Sequence, residues 1–178
     1  MTPPTVQTRV APTPSVTYAP QGVHVYREPQ PIPLTESWFY ELQFPRDPRG
    51  PRIARLTLRT VLTHHGLDEL TDRAEVLTSE LATNAVCHTT GPASVSLTWA
   101  HPTLRVSVWD ACPTLPAMLP DAALPLDAVG GRGLFLLDRL ADRWGGCAIG
   151  DGPWGPGGKT LWFKLLLGNA ESAAAAAA

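Results

Sequence analysis

The chain has 178 residues, is 44% hydrophobic and 17% charged, and carries a formal net charge of −2. That length fits one domain plus tails, with enough apolar residues for a real core. The near-neutral charge lacks the basic footprint of a nucleic-acid binder. No basic-then-apolar leader opens the chain and no long uninterrupted apolar window follows, so neither a signal peptide nor a membrane span is expected. The three cysteines, Cys87, Cys112 and Cys147, have no CxxC spacing. They suit free thiols in a reducing cytoplasm and argue against a structural zinc.

Residues 1–34 are expected to be a disordered tail. Pro3, Pro4, Pro12, Pro14, Pro20, Pro29, Pro31 and Pro33 recur there without a helical or strand period, and proline at that density blocks both regular ladders. The folded part is placed at 35–168. Tyr40, Leu42 and Phe44 alternate with Glu41 and Gln43, which predicts an opening strand closed by Pro45. A first helix follows over about Pro51 to His65, with Ala54, Leu58, Val61 and Leu62 as its inner face. Arg52, Arg55 and Arg59 line another face; a solvated surface is the ordinary reading of that stripe, and a docking face for an acidic partner is the sharper one. His64 and His65 read as helix-end residues before the stop at Gly66, because adjacent helical histidines point about 100° apart and do not chelate one metal.

Asp68 is placed as the cap of a second helix, which runs to about His88. Its apolar stripe is Leu70, Ala74, Leu77, Leu81 and Ala85; Glu80, Asn84 and His88 recur every fourth residue, the first two along the edge of that stripe and His88 within its arc. Polar groups aimed along a buried edge cost on the order of 1–3 kcal/mol each when left unpartnered. Something polar is therefore expected between this helix and the surface it covers. The segments 93–99 and 104–109 alternate and are joined by Ala100-His101-Pro102-Thr103, a β-hairpin that delivers Asp110 to a strand end. The stretch from Ala111 to Val129 is proline-punctuated and long enough to read as a functional lid. Gly130-Gly131-Arg132-Gly133 then opens a third helix, predicted to run from Leu134 to about Trp144 and to stop at Gly145-Gly146. Cys147-Ala148-Ile149 is predicted as a short strand and 159–165 as the last one. Residues 169–178, with the run Ala173 to Ala178, are expected to be a disordered alanine-rich tail.

This order, strand, helix, helix, hairpin, lid, helix, strand, strand, predicts an α+β fold: a two-layer sandwich with a mixed, mostly antiparallel sheet. It is not an alternating βαβ pattern, so the glycine run is no dinucleotide fingerprint. Glycines before a helix admit phosphates to backbone amides, Asn84 can offer an oxygen to a hard cation, and Glu80 can accept a proton from an attacking hydroxyl. Asp110 can accept a hydrogen bond from an exocyclic amine. Each feature alone is weak, since a glycine cluster is often just a loop and a strand-end Asp often a turn residue.

Taken in order and spacing, Glu80 to His88, Asp110, Gly131-Arg132-Gly133 and Gly158-Lys159-Thr160 resemble the boxes of the GHKL ATPase superfamily, the histidine-kinase-like ATP-binding domains. Within it the chain is most similar to the anti-sigma factor serine/threonine kinases. The resemblance spans about Phe44 to Leu167. It implies a Bergerat-type fold that holds ATP and Mg²⁺ between helices and sheet. By similarity Glu80 is the general base, Asn84 the Mg²⁺ ligand, Asp110 the adenine-binding carboxylate, Gly131 and Gly133 the phosphate-contacting glycines, and Thr160 the residue behind the adenine. Arg132 is placed within reach of the γ-phosphate. The implied partners are a sigma factor and an anti-anti-sigma protein of STAS type; a homodimer is left open, and neither nucleic acid nor membrane is expected. One position departs from the pattern, with Cys112 standing where the family has glycine. The competing function is an ATP-binding interaction module that is catalytically weak or inactive. The histidine-kinase branch is disfavoured, because the proline-rich segment before Trp38 cannot supply a dimerising helical hairpin.

Overall fold

The computed structural model describes residues 28–116, 132–150 and 157–168. The expectations for the tails at 1–27 and 169–178 and for most of the lid lie outside those residues. The described residues from Ile32 onward form one compact unit, and all the elements belong to it. In chain order they are β1 (Trp38–Phe44), α1 (Gly50–His64), α2 (Asp68–His88), β2 (Ala93–Ala100), β3 (Thr103–Asp110), α3 (Arg132–Leu140), β4 (Arg143–Ile149) and β5 (Gly158–Leu166).

The strands form one sheet in the order β1-β2-β3-β5-β4. All four pairings are antiparallel, so the sheet expected to be mixed is antiparallel throughout its described strands. Its inner face carries Leu97, Trp99, Leu104, Val106, Val108, Leu161, Phe163 and Leu165, all buried. Period-2 alternation puts these on one side and Arg105, Ser107, Trp162 and Lys164 on the other. Helix α2 lies on the inner face against β2, β3 and β5, with α1 and α3 packed on it. Its stripe of Leu70, Ala74, Leu77, Leu81 and Ala85 is buried, as the spacing predicts.

Helix α1 starts at Gly50, whose missing side chain admits the Phe44 ring: a Cβ there would lie 2.6 Å from it. The helix ends at Gly66 in left-handed conformation (φ 69°), and the Leu67 N–H closes back on the Leu62 carbonyl at 2.9 Å. This is the six-to-one bond of a Schellman stop, with buried Leu67 as its apolar partner. His65 lies at that stop, stacked on Trp38 with centroids 4.5 Å apart. Asp68 does not cap α2, because Leu67 holds that position; its carboxylate instead accepts the Thr63 hydroxyl at 3.0 Å. Of the arginine stripe, Arg59 is turned to Glu75 on α2, with both of its bonds 2.6 Å long.

Helix α3 is shorter than predicted. It ends at Leu140, and Arg143 and Trp144 already belong to β4. Two bonds of Asp142, one backbone and one side-chain, turn the chain into the sheet: its N–H donates to the Lys164 carbonyl at 3.0 Å, and its carboxylate accepts the Leu166 N–H at 2.7 Å. Arg73 of α2 donates to the Leu140 carbonyl at 3.4 Å, meeting a helix-end acceptor. Gly145 and Gly146 are strand residues rather than helix stops. A Cβ on Gly145 would stand 2.8 Å from the Trp162 ring, and one on Gly146 2.6 Å from Leu161. The predicted periodicity through Trp144 was real, but long-range pairing with β5 overrode it.

Candidate active site: a cavity between helix α2 and strands β3 and β5

A cavity of about 330 Å³ opens between helices and sheet. Leu81, Asn84 and His88 face it from α2, Val108 and Asp110 from β3, Lys159 and Leu161 from β5, and Gly133 and Leu134 from α3. Cys112, Thr114, Leu115 and Pro116 complete it from the segment after β3. Its volume falls at the lower end of the range for small-molecule sites, and a few polar groups set in a mainly apolar lining are their usual composition.

The α2 wall carries the polar edge expected there. Asn84 is half-buried and faces the cavity. Glu80, one turn earlier and also half-buried, lines an adjoining surface groove with Arg55, Glu75, Val76 and Ser79. Gly133 brings the start of α3 onto both. A Cβ at that buried position would stand 3.0 Å from Asn84 Nδ2, tight enough to push the amide aside, and in ordinary contact with Glu80 Oε2 at 3.7 Å. Among the described residues neither Glu80 nor Asn84 spends its side chain on a hydrogen bond. An uncommitted carboxylate and an uncommitted amide under a helix start fit an anion with its cation. His88, expected within the apolar arc, is exposed at the rim because it is the last residue of α2.

The strand wall is differently built. Asp110 is 4% exposed and Lys159 7%, and the two are register partners across β3 and β5. Lys159 Nζ lies 2.9 Å from Asp110 Oδ1 and donates to the Cys112 carbonyl at 3.2 Å. The Cys112 N–H donates to the same Oδ1 at 2.9 Å. Gly158 lets β5 come this close, since a Cβ there would collide with the Asp110 carbonyl. Asp110 is therefore held with its Oδ1 taken twice, by Lys159 Nζ and by the Cys112 N–H.

The structure thus brings Asn84, Asp110 and Gly133 to one cavity and sets Glu80 beside it. It does not bring Thr160 there. Thr160 pairs with Trp109 and Cys147, and period-2 alternation puts it on the sheet face opposite Lys159 and Leu161. Lys159, its neighbour, lines the cavity instead. Its signal was present in the sequence, since Lys159 shares the phase of Leu161, Phe163 and Leu165. Arg132 begins α3, and Gly131 lies outside the described residues. Cys87, Cys112 and Cys147 are free thiols. No helix among the described residues is long and apolar enough to cross a membrane.

No curated protein matches the chain. Residues 44–165, from the end of β1 to the penultimate residue of β5, match the family model of the histidine kinase-like ATPase domain. That match covers most of the chain and every element that lines the cavity, so the protein belongs to the histidine kinase-like ATPase domain family.

Proposed function

We propose that the protein is an ATP-binding regulatory switch of the anti-sigma factor serine/threonine kinase type. Membership of the family implies ATP binding and an ATP-using kinase or ATPase activity. The observation that carries the finer reading is the seating of Gly133 on Asn84 and Glu80, beside a cavity that also holds Asp110. Asn84 offers its amide oxygen to Mg²⁺, which when bound neutralises phosphate charge. Gly133 and the first amides of α3 receive the phosphates at the positive helix end. Asp110 accepts a hydrogen bond from the amine of the base. Glu80 takes the proton of a serine or threonine hydroxyl presented by a partner protein. The half-exposed groove in which Glu80 lies gives such a hydroxyl access. The partner that offers the hydroxyl is an anti-anti-sigma protein, and a sigma factor is the alternative partner that the switch sequesters.

Glu80→Gln keeps shape and removes the base. With Mg-ATP and the anti-anti-sigma partner, nucleotide affinity is expected to hold while phosphotransfer falls by roughly 10²–10⁴-fold. Phosphotransfer at the wild-type rate overturns the role of Glu80.

A second reading, a nucleotide-gated interaction module without turnover, is favoured by the strand wall. There Asp110 Oδ1 is already engaged by Lys159 and the Cys112 N–H, and Cys112 replaces a family glycine. Calorimetry with Mg-ATP followed by a phosphotransfer assay separates the two: binding with no transfer to any partner selects the module.

A further inference from the structure

Lys159 is a buried charged residue of the cavity that the roles above leave unused. Its side chain is 9% exposed and that of Asp110 5%. Two ions desolvated this far gain little stability over an apolar pair of equal volume, so stability alone does not account for them. Their bonding is also incomplete. An ammonium carries three N–H donors and a carboxylate two acceptor oxygens. Lys159 Nζ spends one N–H on Asp110 Oδ1 and one on the Cys112 carbonyl, and Oδ1 also takes the Cys112 N–H. Among the described residues the third N–H of Lys159 and the Oδ2 of Asp110 have no protein partner. Both residues line the cavity. A donor and an acceptor are thus held next to each other in its wall, fixed by strand register rather than by a loop.

We propose that Lys159 reads the base together with Asp110, its third N–H donating to a ring nitrogen while Asp110 Oδ2 accepts from the amino group on the adjacent carbon. The ligand class is a heteroaromatic amine whose amino group neighbours a lone-pair ring nitrogen, the edge that a 6-aminopurine presents. A 6-oxopurine offers a carbonyl and a ring N–H there, the reverse polarity. Lys159 is on this account a specificity-determining residue, and its contact is separate from the one Asp110 makes. The inference rests on the cavity being the nucleotide site.

Calorimetry in the presence of Mg²⁺ tests it with three ligands on the full chain: ATP, 1-deaza-ATP, in which a C–H replaces the ring nitrogen, and purine riboside triphosphate, which lacks the amine. Wild type is expected to bind ATP roughly ten- to a hundredfold more tightly than 1-deaza-ATP, the scale of one hydrogen bond to a charged group. In Lys159→Met that ratio falls to near one, while the preference for ATP over purine riboside triphosphate, which reports Asp110, persists. This is the pattern of a double-mutant cycle with the second change made on the ligand. A Lys159 that merely propped up the fold would lower affinity for all three ligands alike and leave the ratios unmoved, which overturns the proposal. So does a wild type that binds ATP and 1-deaza-ATP equally, a comparison that needs no variant to fold. Both outcomes leave nucleotide binding standing, whereas a wild type that binds none of the three overturns the nucleotide site and this inference together.

Discussion

Two ion pairs in this molecule have opposite characters. Arg59 and Glu75 join α1 to α2 through two parallel bonds of 2.6 Å, with the Arg59 side chain 52% exposed. Asp110 and Lys159 join β3 to β5 through one contact, almost fully out of solvent, and face a cavity. The first pair is bidentate and open to solvent on its arginine side, the usual form of a surface clip worth little. The second is dry and under-bonded, which for stability alone is a poor arrangement. The contrast shows why counting ion pairs says little about a site: what marks one is the donor or acceptor left over after the protein has made its own bonds.

The comparison breaks most visibly at Asp110. Asp110→Ala leaves the buried Lys159 ammonium without its counter-charge, and a stability loss of about 3–5 kcal/mol is expected in denaturant unfolding. Adding Lys159→Met to that variant is expected to recover much of the loss, because no buried charge then remains. A double variant as unstable as the single one would mean that the pair acts through packing instead.

Gly133→Ala sharpens the α2 side. A Cβ there crowds Asn84 Nδ2 at 3.0 Å, while alanine in place of glycine inside α3 gains up to about 1 kcal/mol in helix propensity. Stability is expected to stay within about 1 kcal/mol of wild type in the same unfolding assay. Mg-ATP affinity, read by calorimetry, is expected to fall about tenfold, which corresponds to the loss of roughly one hydrogen bond.

The smallest effect belongs to the exposed clip. Arg59→Ala is expected to cost little stability in the same unfolding assay. Hydrogen bonding to Arg59 is the largest cause that holds the Glu75 carboxyl below the usual carboxylate range, against a smaller opposing effect of burial. A folded-state value below the unfolded one gives stability that is complete above the ordinary carboxylate range and lost as pH falls through the lowered value. Unfolding curves across that acid window should therefore separate wild type from Arg59→Ala at the upper end and bring them together at the lower end.

The cavity was legible in the sequence to the extent that its parts obeyed local rules. The four-residue recurrence of Glu80, Asn84 and His88 is a property of any helix, and α2 formed over the predicted residues. Asp110 came to a strand end because the hairpin that carries it has its own turn and alternation. Lys159 was missed although its phase along β5 was readable, because what makes it a site residue is a partner 49 positions away.

The sequence by itself determined the helix stripe, the hairpin, the inward phase of each strand and the ordered boxes that place the chain in its family. These depend on residue spacing of a few positions, where backbone geometry leaves few choices. Tertiary structure alone decided that α3 stops at Leu140, that Gly145 and Gly146 lie against Trp162 and Leu161, and that Lys159 rather than Thr160 meets Asp110. Each of these follows from the pairing of β5 with β3 and β4. Strand register is a long-range choice made by the burial of a whole face, and no local propensity encodes it.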